Sequence, residues 1–190
     1  MKKNFLIALW FTLVTTVMFG VLYPLAITGL SQLLFPDRAN GQLIQKNGKI
    51  VGSRIIGQSF TLPGYFYSRP SFAGTGYDAT ASGGSNLGPT NKALLDLVQG
   101  DVQKLKAENP NAAIPIDLVT TSGSGLDPEI SPAAAEFQIA RVTRERGMKE
   151  NEVRALVQKH TKGRDLGFLG ESRVNVLELN LDLDSVHPLR

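Results

Sequence analysis

Cysteine is absent from the 190 residues, so no disulfide staples this fold and no thiolate serves as a metal ligand or nucleophile. Histidine is nearly absent: His160 and His187 are the only two. They form no His-x-x-x-His pair, and the chain also lacks a Gly-x-Ser-x-Gly elbow and a Gly-Lys-Ser/Thr phosphate loop. Net charge is scarce as well. Of the 20 Lys and Arg side chains, Lys2 and Lys3 sit at the extreme N-terminus, and the other 18 face 17 Asp and Glu. So even a balance leaves no electrostatic footprint for nucleic acid. The last absence is local: no side chain between Phe5 and Phe35 is charged.

That uncharged run reads as an N-terminal transmembrane helix, residues 1–36 with the span at about 5–35. A helix needs roughly 20 apolar residues to cross about 30 Å of hydrocarbon. A cleavable signal is the competing reading, but its apolar region runs to only about 7–15 residues and ends at a small-x-small site. No Ala-x-Ala stands directly after Phe35, where Pro36 to Gly41 follow. Lys2 and Lys3 precede the span, and the positive-inside rule then places the N-terminus in the cytoplasm of a single-pass cell-membrane protein, with residues 37–190 outside. Within the span, Ala8, Thr12, Thr16 and Gly20 recur every fourth residue and lead to Pro24. Small residues at that spacing let another helix approach closely in lipid, so the row is a candidate packing face. Pro24 removes the bond to the Gly20 carbonyl and predicts a kink.

Residues 37–190 predict one loop-rich extracytoplasmic α+β domain with a small sheet and about three helices. Asp37 to Gly41 is a short polar linker, and Asn47-Gly48 between Leu43-Ile44 and Ile50-Val51 predicts a hairpin that continues through Arg54–Ile56. Tyr65 to Ser71 is rich in aromatics and reads either as a stacking surface or as a strand with Phe66 inward. Gly74 to Asn91 is a long loop of small residues, of a length that is usually functional or disordered, and it reads either as backbone nests for an ion or as a loop packed on a partner or on its own domain. Thr90 or Asn91 caps a helix to about Glu108, Ser131-Pro132 starts one that ends at Gly147, and Glu150 to Thr161 forms a third, stopped by Gly163. Phe137 and Ala140 are expected to face inward. In the third helix His160 shares a stripe with Val153, Leu156 and Val157, which predicts hydrogen-bonded packing rather than metal ligation. Ile116–Thr121 predicts a strand. Leu177, Leu179, Leu181 and Leu183 alternate with Glu178, Asn180, Asp182 and Asp184, the period of a strand, with a bulge expected near Val176-Leu177. On a strand, Glu178, Asp182 and Asp184 would share one face, solvated or holding a cation.

Several segments taken together, in order, resemble the C subunit of the Kdp-type potassium-transporting ATPase. They are Tyr23-Pro24-Leu25, Gly57 to Phe60, Tyr67 to Ser71, Ser82 to Leu87, Leu118 to Asp127, Arg141-Val142 and Val174 to Asn180. Phe72 and Lys92 depart from residues common at those places in the family. The resemblance implies a non-catalytic accessory subunit of an ATP-driven potassium uptake complex. Its implied partners are a channel-like potassium-binding subunit, a P-type ATP-hydrolysing subunit and a small single-span subunit. It also implies ATP as a ligand, since the family is described as a catalytic chaperone that raises the pump's ATP affinity. Ser82, Gly83, Gly84, Ser85 and Asn86 are similar to the signature loop of ABC-type ATPases, and with Gln58 they become the implied nucleotide residues. The lysine-derived topology points the other way: it puts that loop outside, away from ATP, and predicts an external cap near the outer entrance of the potassium-binding subunit. A membrane-anchored extracytoplasmic hydrolase or binding protein is the alternative.

Overall fold

The computed structural model describes residues 1–189 and divides the chain into two compact units, Met1–Ile50 and the remainder from Val51.

The first unit is mostly helical. Lys2–Leu34 is one continuous helical run, long and apolar enough to cross a membrane. It comprises α1 (Lys2–Val17), a π-helical turn (Met18–Leu22) and α2 (Tyr23–Leu34). The effect of Pro24 is visible in that turn. Proline has no amide to give to Gly20, and the ladder slips by one residue just before it, with the Tyr23 amide donating to the Met18 carbonyl. Thr15 turns its hydroxyl back to the Phe11 and Thr12 carbonyls at 2.8 and 3.1 Å. The expected linker is in part a helical turn, α3 (Pro36–Ala39), begun by its proline. The side-chain amides of Asn40 and Gln32 pair reciprocally at 3.2 Å. β1 (Leu43–Lys46) and β2 (Lys49–Ser53) form the hairpin that Asn47-Gly48 predicts, both turn residues having positive φ. The strand stops at Ser53 rather than continuing through Ile56, because the Ile56 amide turns back to the Ser53 carbonyl.

In the second unit the core is built by three helices around a small antiparallel sheet. β3 (Glu129–Ile130), β4 (Thr161–Lys162) and β5 (Arg173–Asn175) stand in the order β3-β5-β4, with Ile130 opposite Val174 and Thr161 opposite Val174 on the other side. α5 (Pro132–Arg146) begins where Ser131 accepts the Ala134 amide at 3.0 Å and ends at Gly147. α6 (Glu150–His160) follows, and α7 (Val176–Val186) leaves directly from β5. Phe66, Ile139, Val142, Val153, Val174, Leu179 and Leu183 are almost fully buried among them. Phe137 is buried as expected, but Ala140 is exposed. α4 (Lys92–Glu108) is capped by Asn91 and buries no residue fully, although Leu105 packs against the core.

Two expected strands are not strands. Ile116–Leu118 is a single 3-10 turn whose Asp117 accepts from the Ser131 amide and hydroxyl at 2.7 and 3.1 Å, so the acid locks the start of α5. The leucine-alternating segment is helix α7. Asn175 caps it by accepting the Glu178 amide at 3.1 Å, and leucine suits a helix better than a strand. Val176, Leu179 and Leu183 then follow helical spacing into the core, and the expected bulge is instead the strand-to-helix junction.

The helix also scatters the three carboxylates that a strand would have aligned. Glu178 pairs with Arg54 at 2.8 Å, Asp184 with Arg146 at 2.9 Å, and Asp182 with Lys159 and His160 at 2.7 and 2.9 Å. Among the described residues no acidic or histidine group could hold a metal ion. His160 is half-buried with its Nε2 at 2.9 Å from the Asp182 carboxylate, the hydrogen-bonded position its stripe predicts. The hydrogen bond from Lys159, then that from His160, hold the Asp182 carboxyl at about 2. A lowered carboxylate pKa stabilises the fold above the unfolded value near 3.9 and loses that contribution as pH falls toward about 2. We expect Asp182→Asn to be less stable than the parent at pH 5 in urea unfolding, with the gap closing between about pH 4 and pH 2. A gap unchanged over that window would remove the linkage.

Candidate functional site

Three of the segments that carry the family resemblance, far apart in sequence, meet a fourth at the turn Ser122–Asp127. Gly57 donates its amide to the Leu126 carbonyl at 2.8 Å. Ser71 donates its hydroxyl to Gly125 at 2.6 Å, while that same oxygen accepts the Tyr77 and Ala73 amides at 2.8 and 3.2 Å. Arg69 pairs with Asp127 at 3.2 Å and reaches the Thr120 and Thr121 carbonyls. One turn thus gathers the strip at Gly57 and the strip Arg69–Tyr77.

The long loop is ordered by its own polar side chains before it reaches that turn. Asp78 accepts the Thr80 hydroxyl and amide at 2.7 and 2.9 Å, and the hydroxyl bond above all lowers its pKa. The Tyr77 hydroxyl donates to the Arg69 carbonyl, and burial raises the Tyr77 pKa. The glycine segment then lies directly on the turn. Ser82 Oγ and the Gly83 amide both donate to the Ser124 carbonyl, at 3.0 and 2.8 Å. The contact is so close that a Cβ on Gly125 would stand 2.5 Å from the Gly83 carbonyl oxygen and 2.7 Å from the Ala73 nitrogen; Gly125 also has φ +65°.

The implied nucleotide residues therefore divide. Ser82 and Gly83 direct their donors inward to Ser124, and Gly84 lies against Ser122 and Gly123, where an added Cβ would be 3.2 Å from the Ser122 carbonyl oxygen. Ser85 Oγ accepts the Leu87 amide at 3.5 Å, and Asn86 is exposed with φ 52°. Gln58 belongs to another network: its side-chain amide donates to the Val51 carbonyl at 3.1 Å beside Gly52. From Gly74 to Asn91 the loop carries one charged side chain, Asp78. In the apolar helix, Ala8, Thr12, Thr16, Gly20 and Pro24 are all exposed, and a Cβ on Gly20 would meet Thr16 Cγ2 at 3.8 Å, so those two residues share one face.

The aromatic segment lies outside every helix and strand. Side-chain amides take the place of a partner strand. Asn180 accepts the Phe66 amide and donates to its carbonyl, both at 2.9 Å; Gln138 accepts the Tyr67 amide at 2.8 Å and donates to its carbonyl at 3.1 Å. Two buried arginines on α5 complete the clamp. Arg141 stacks 3.9 Å above the Tyr67 ring, pairs with Glu108 at 2.9 Å, and donates to the Pro63 and Tyr65 carbonyls. Arg146 lies 4.9 Å from the centre of the Tyr65 ring and donates to the Gly64 and His187 carbonyls, both at 2.6 Å. Burial, then the hydrogen bond to Asp184, raises the Tyr65 pKa. Neither tyrosine is a free stacking platform. Sequence reasoning missed Gln138, Asn180 and Arg146; the available signal was a polar residue at each core-facing position of an otherwise apolar helical spacing.

Comparison with known proteins gives consistent matches. The family described as "KdpC: K+-transporting ATPase, c chain" matches residues 5–185. The potassium-transporting ATPase KdpC subunit of Koribacter versatilis is 61% identical over 189 residues, covering 100% of this chain and 98% of its own length. The same subunit of Rhodopseudomonas palustris is 55% identical over 197 residues, covering 97% and 98%. That of Bradyrhizobium diazoefficiens is 55% identical over 184 residues, covering 90% and 92%.

Proposed function

Because the chain belongs to the KdpC family of K+-transporting ATPase c chains, we propose that it is an accessory membrane subunit of an ATP-driven potassium uptake complex. Its N-terminus lies in the cytoplasm, and its α+β domain caps the potassium-binding subunit on the outside. The partners are that channel-like subunit, a P-type ATP-hydrolysing subunit and a small single-span subunit. The helix Lys2–Leu34 holds the chain in the bilayer and packs against a partner helix along Ala8, Thr12, Thr16, Gly20 and Pro24. The chain itself performs no chemistry.

The observation that carries the external cap over a nucleotide role is the composition and engagement of the glycine loop. A triphosphate needs cations or several convergent amides. Here Asp78 is the loop's one charge, and the Ser82 and Gly83 donors are engaged by Ser124. The loop is better suited to hold Ser122–Asp127 in shape as a docking surface than to hold ATP.

Gly83→Ala tests this cleanly, since the added methyl meets no atom within 4 Å and the amide is retained. We expect the purified complex carrying it to assemble and to keep its ATP affinity, and a phosphatase fused after residue 190 to be active outside the cell. Lost ATP affinity in a fully assembled complex, with the fused reporter in the cytoplasm, would overturn the cap and reinstate the nucleotide loop.

A further inference from the structure

The β4–β5 hairpin ends in a tip that fits neither its own backbone nor water. Leu166 is 83% exposed, Phe168 68% and Leu169 49%. Leu166 also has φ 53°, a left-handed conformation that leucine rarely adopts and that asparagine or glycine would take with less strain. Strain of that kind persists where the surroundings use it. Meanwhile the backbone of the tip is closed on itself. The Asp165 and Leu169 amides each donate to the other's carbonyl at 2.9 Å, Gly167 donates to Arg164 at 3.2 Å, and Phe168 to Asp165 at 3.3 Å. A tip built this way enters an apolar site with the Asp165, Gly167, Phe168 and Leu169 amides already bonded.

Electrostatics decides what kind of site. Membrane-surface segments combine apolar side chains with cations for anionic lipid, and often with Trp or Tyr at headgroup level. From Thr161 to Arg173 there is no Trp or Tyr, and every cation is held by a carboxylate. Arg164 pairs with Glu171 at 3.0 Å, Arg173 with Asp165 at 3.1 Å and with Glu129 at 3.2 Å, and Lys162 with Glu178 at 3.8 Å. The neck of the hairpin is charge-balanced, which suits a protein socket rather than a lipid headgroup layer. We propose that Leu166, Phe168 and Leu169 form a knob that seats in an apolar pocket of another subunit of the same transport complex. This rests on the complex proposed above. Three side chains are too few for a whole interface, so the knob acts as its energetic anchor.

The test places a photoreactive benzoylphenylalanine at position 168 of the full chain, irradiates membranes holding the whole complex, and identifies adducts by mass spectrometry. The expected adduct is a peptide from a transport subunit; an adduct with lipid, with a second copy of the chain, or with nothing overturns the knob. Leu166→Asn is the companion variant, because asparagine relieves the backbone while removing the apolar contact. Its own thermal midpoint should be unchanged or higher, whereas retention by the tagged complex should fall roughly tenfold. Unchanged retention also overturns the proposal. If the unsubstituted chain fails to co-purify with the transport subunits, the complex itself is refuted; if it co-purifies and the tip variants behave like it, only the knob is.

Discussion

Arg146→Met lowers the thermal midpoint of the α+β domain by about 10 °C, while Arg154→Met, which breaks ion pairs of the same or shorter length, changes it by little. The side chain of Arg146 is 0% exposed, and its guanidinium holds the Gly64 and His187 carbonyls and Asp184 at once. Methionine fills the space but gives no donor, so two carbonyls and a carboxylate lose their partner. Removing one member of a buried pair costs about 3–5 kcal/mol. Asp184 is 23% exposed and keeps the Tyr65 hydroxyl at 2.9 Å, which favours the lower end, about 3 kcal/mol. For a domain near 150 residues each kcal/mol shifts the midpoint by about 2–4 °C. Arg154 bridges Glu136 and Glu150 at 2.7 and 2.6 Å, but those carboxylates are 51% and 58% exposed, where water screens the attraction and the pairs add little stability. Thermal melts of the full chain in detergent compare the two variants; equal shifts would mean that the arginine clamp does not hold the aromatic segment.

That clamp also shows why part of the fold was hidden in the sequence. Local signals were read correctly where local energetics decide: Asn47-Gly48 set the hairpin, Asn91 and Ser131 set helix starts, and Gly147 ended α5. The apolar run Phe5–Phe35 needed no tertiary context at all. α7 failed because two periods fit the same leucines. Alternation at 177, 179, 181 and 183 is a perfect strand pattern, yet Val176, Leu179 and Leu183 are a helical stripe, and the deciding evidence lay in Asn175 and Glu178, three residues apart as cap and third helical residue. Tyr65–Ser71 failed for the opposite reason. Its partners, Gln138 and Asn180, lie 71 and 114 residues away from those they bond, and a side-chain amide standing in for a strand leaves no periodicity to read.

The candidate site was legible as segments but not as an assembly. Gly57, Ser71, Ser82-Gly83 and Ser122–Asp127 were singled out by composition or resemblance, and the structure brings all of them to one turn. What composition could not reveal is the direction of the donors. A Ser-Gly-Gly-Ser string looks the same whether its amides face a phosphate or a carbonyl of its own chain; here the Ser82 and Gly83 donors face Ser124. Gln58 was grouped with the loop by resemblance alone, and its bond to Val51 puts it in a separate network.

Gly125→Ala separates these two meanings of the loop, and its effect should be large. Alanine at φ +65° costs about 1–2 kcal/mol in backbone strain. Its methyl would also sit 2.5 Å from the Gly83 carbonyl oxygen, a backbone atom that cannot rotate away. The glycine loop must therefore lift from the turn, losing the bonds from Ser82 and Gly83 to Ser124, worth about 1 kcal/mol each. The combined cost of about 3 kcal/mol predicts amide exchange at Gly83 accelerated by roughly a hundredfold, by hydrogen-exchange mass spectrometry. Gly123→Ala, where a Cβ meets nothing within 4 Å, is the silent control. If the loop shapes a docking surface, Gly125→Ala impairs assembly of the complex while Gly83→Ala leaves it intact. A nucleotide loop would make Gly83→Ala the damaging change, through ATP affinity in an assembled complex. The two glycines lie in contact, yet the two mechanisms assign them opposite sensitivities, so the pair of variants decides between them.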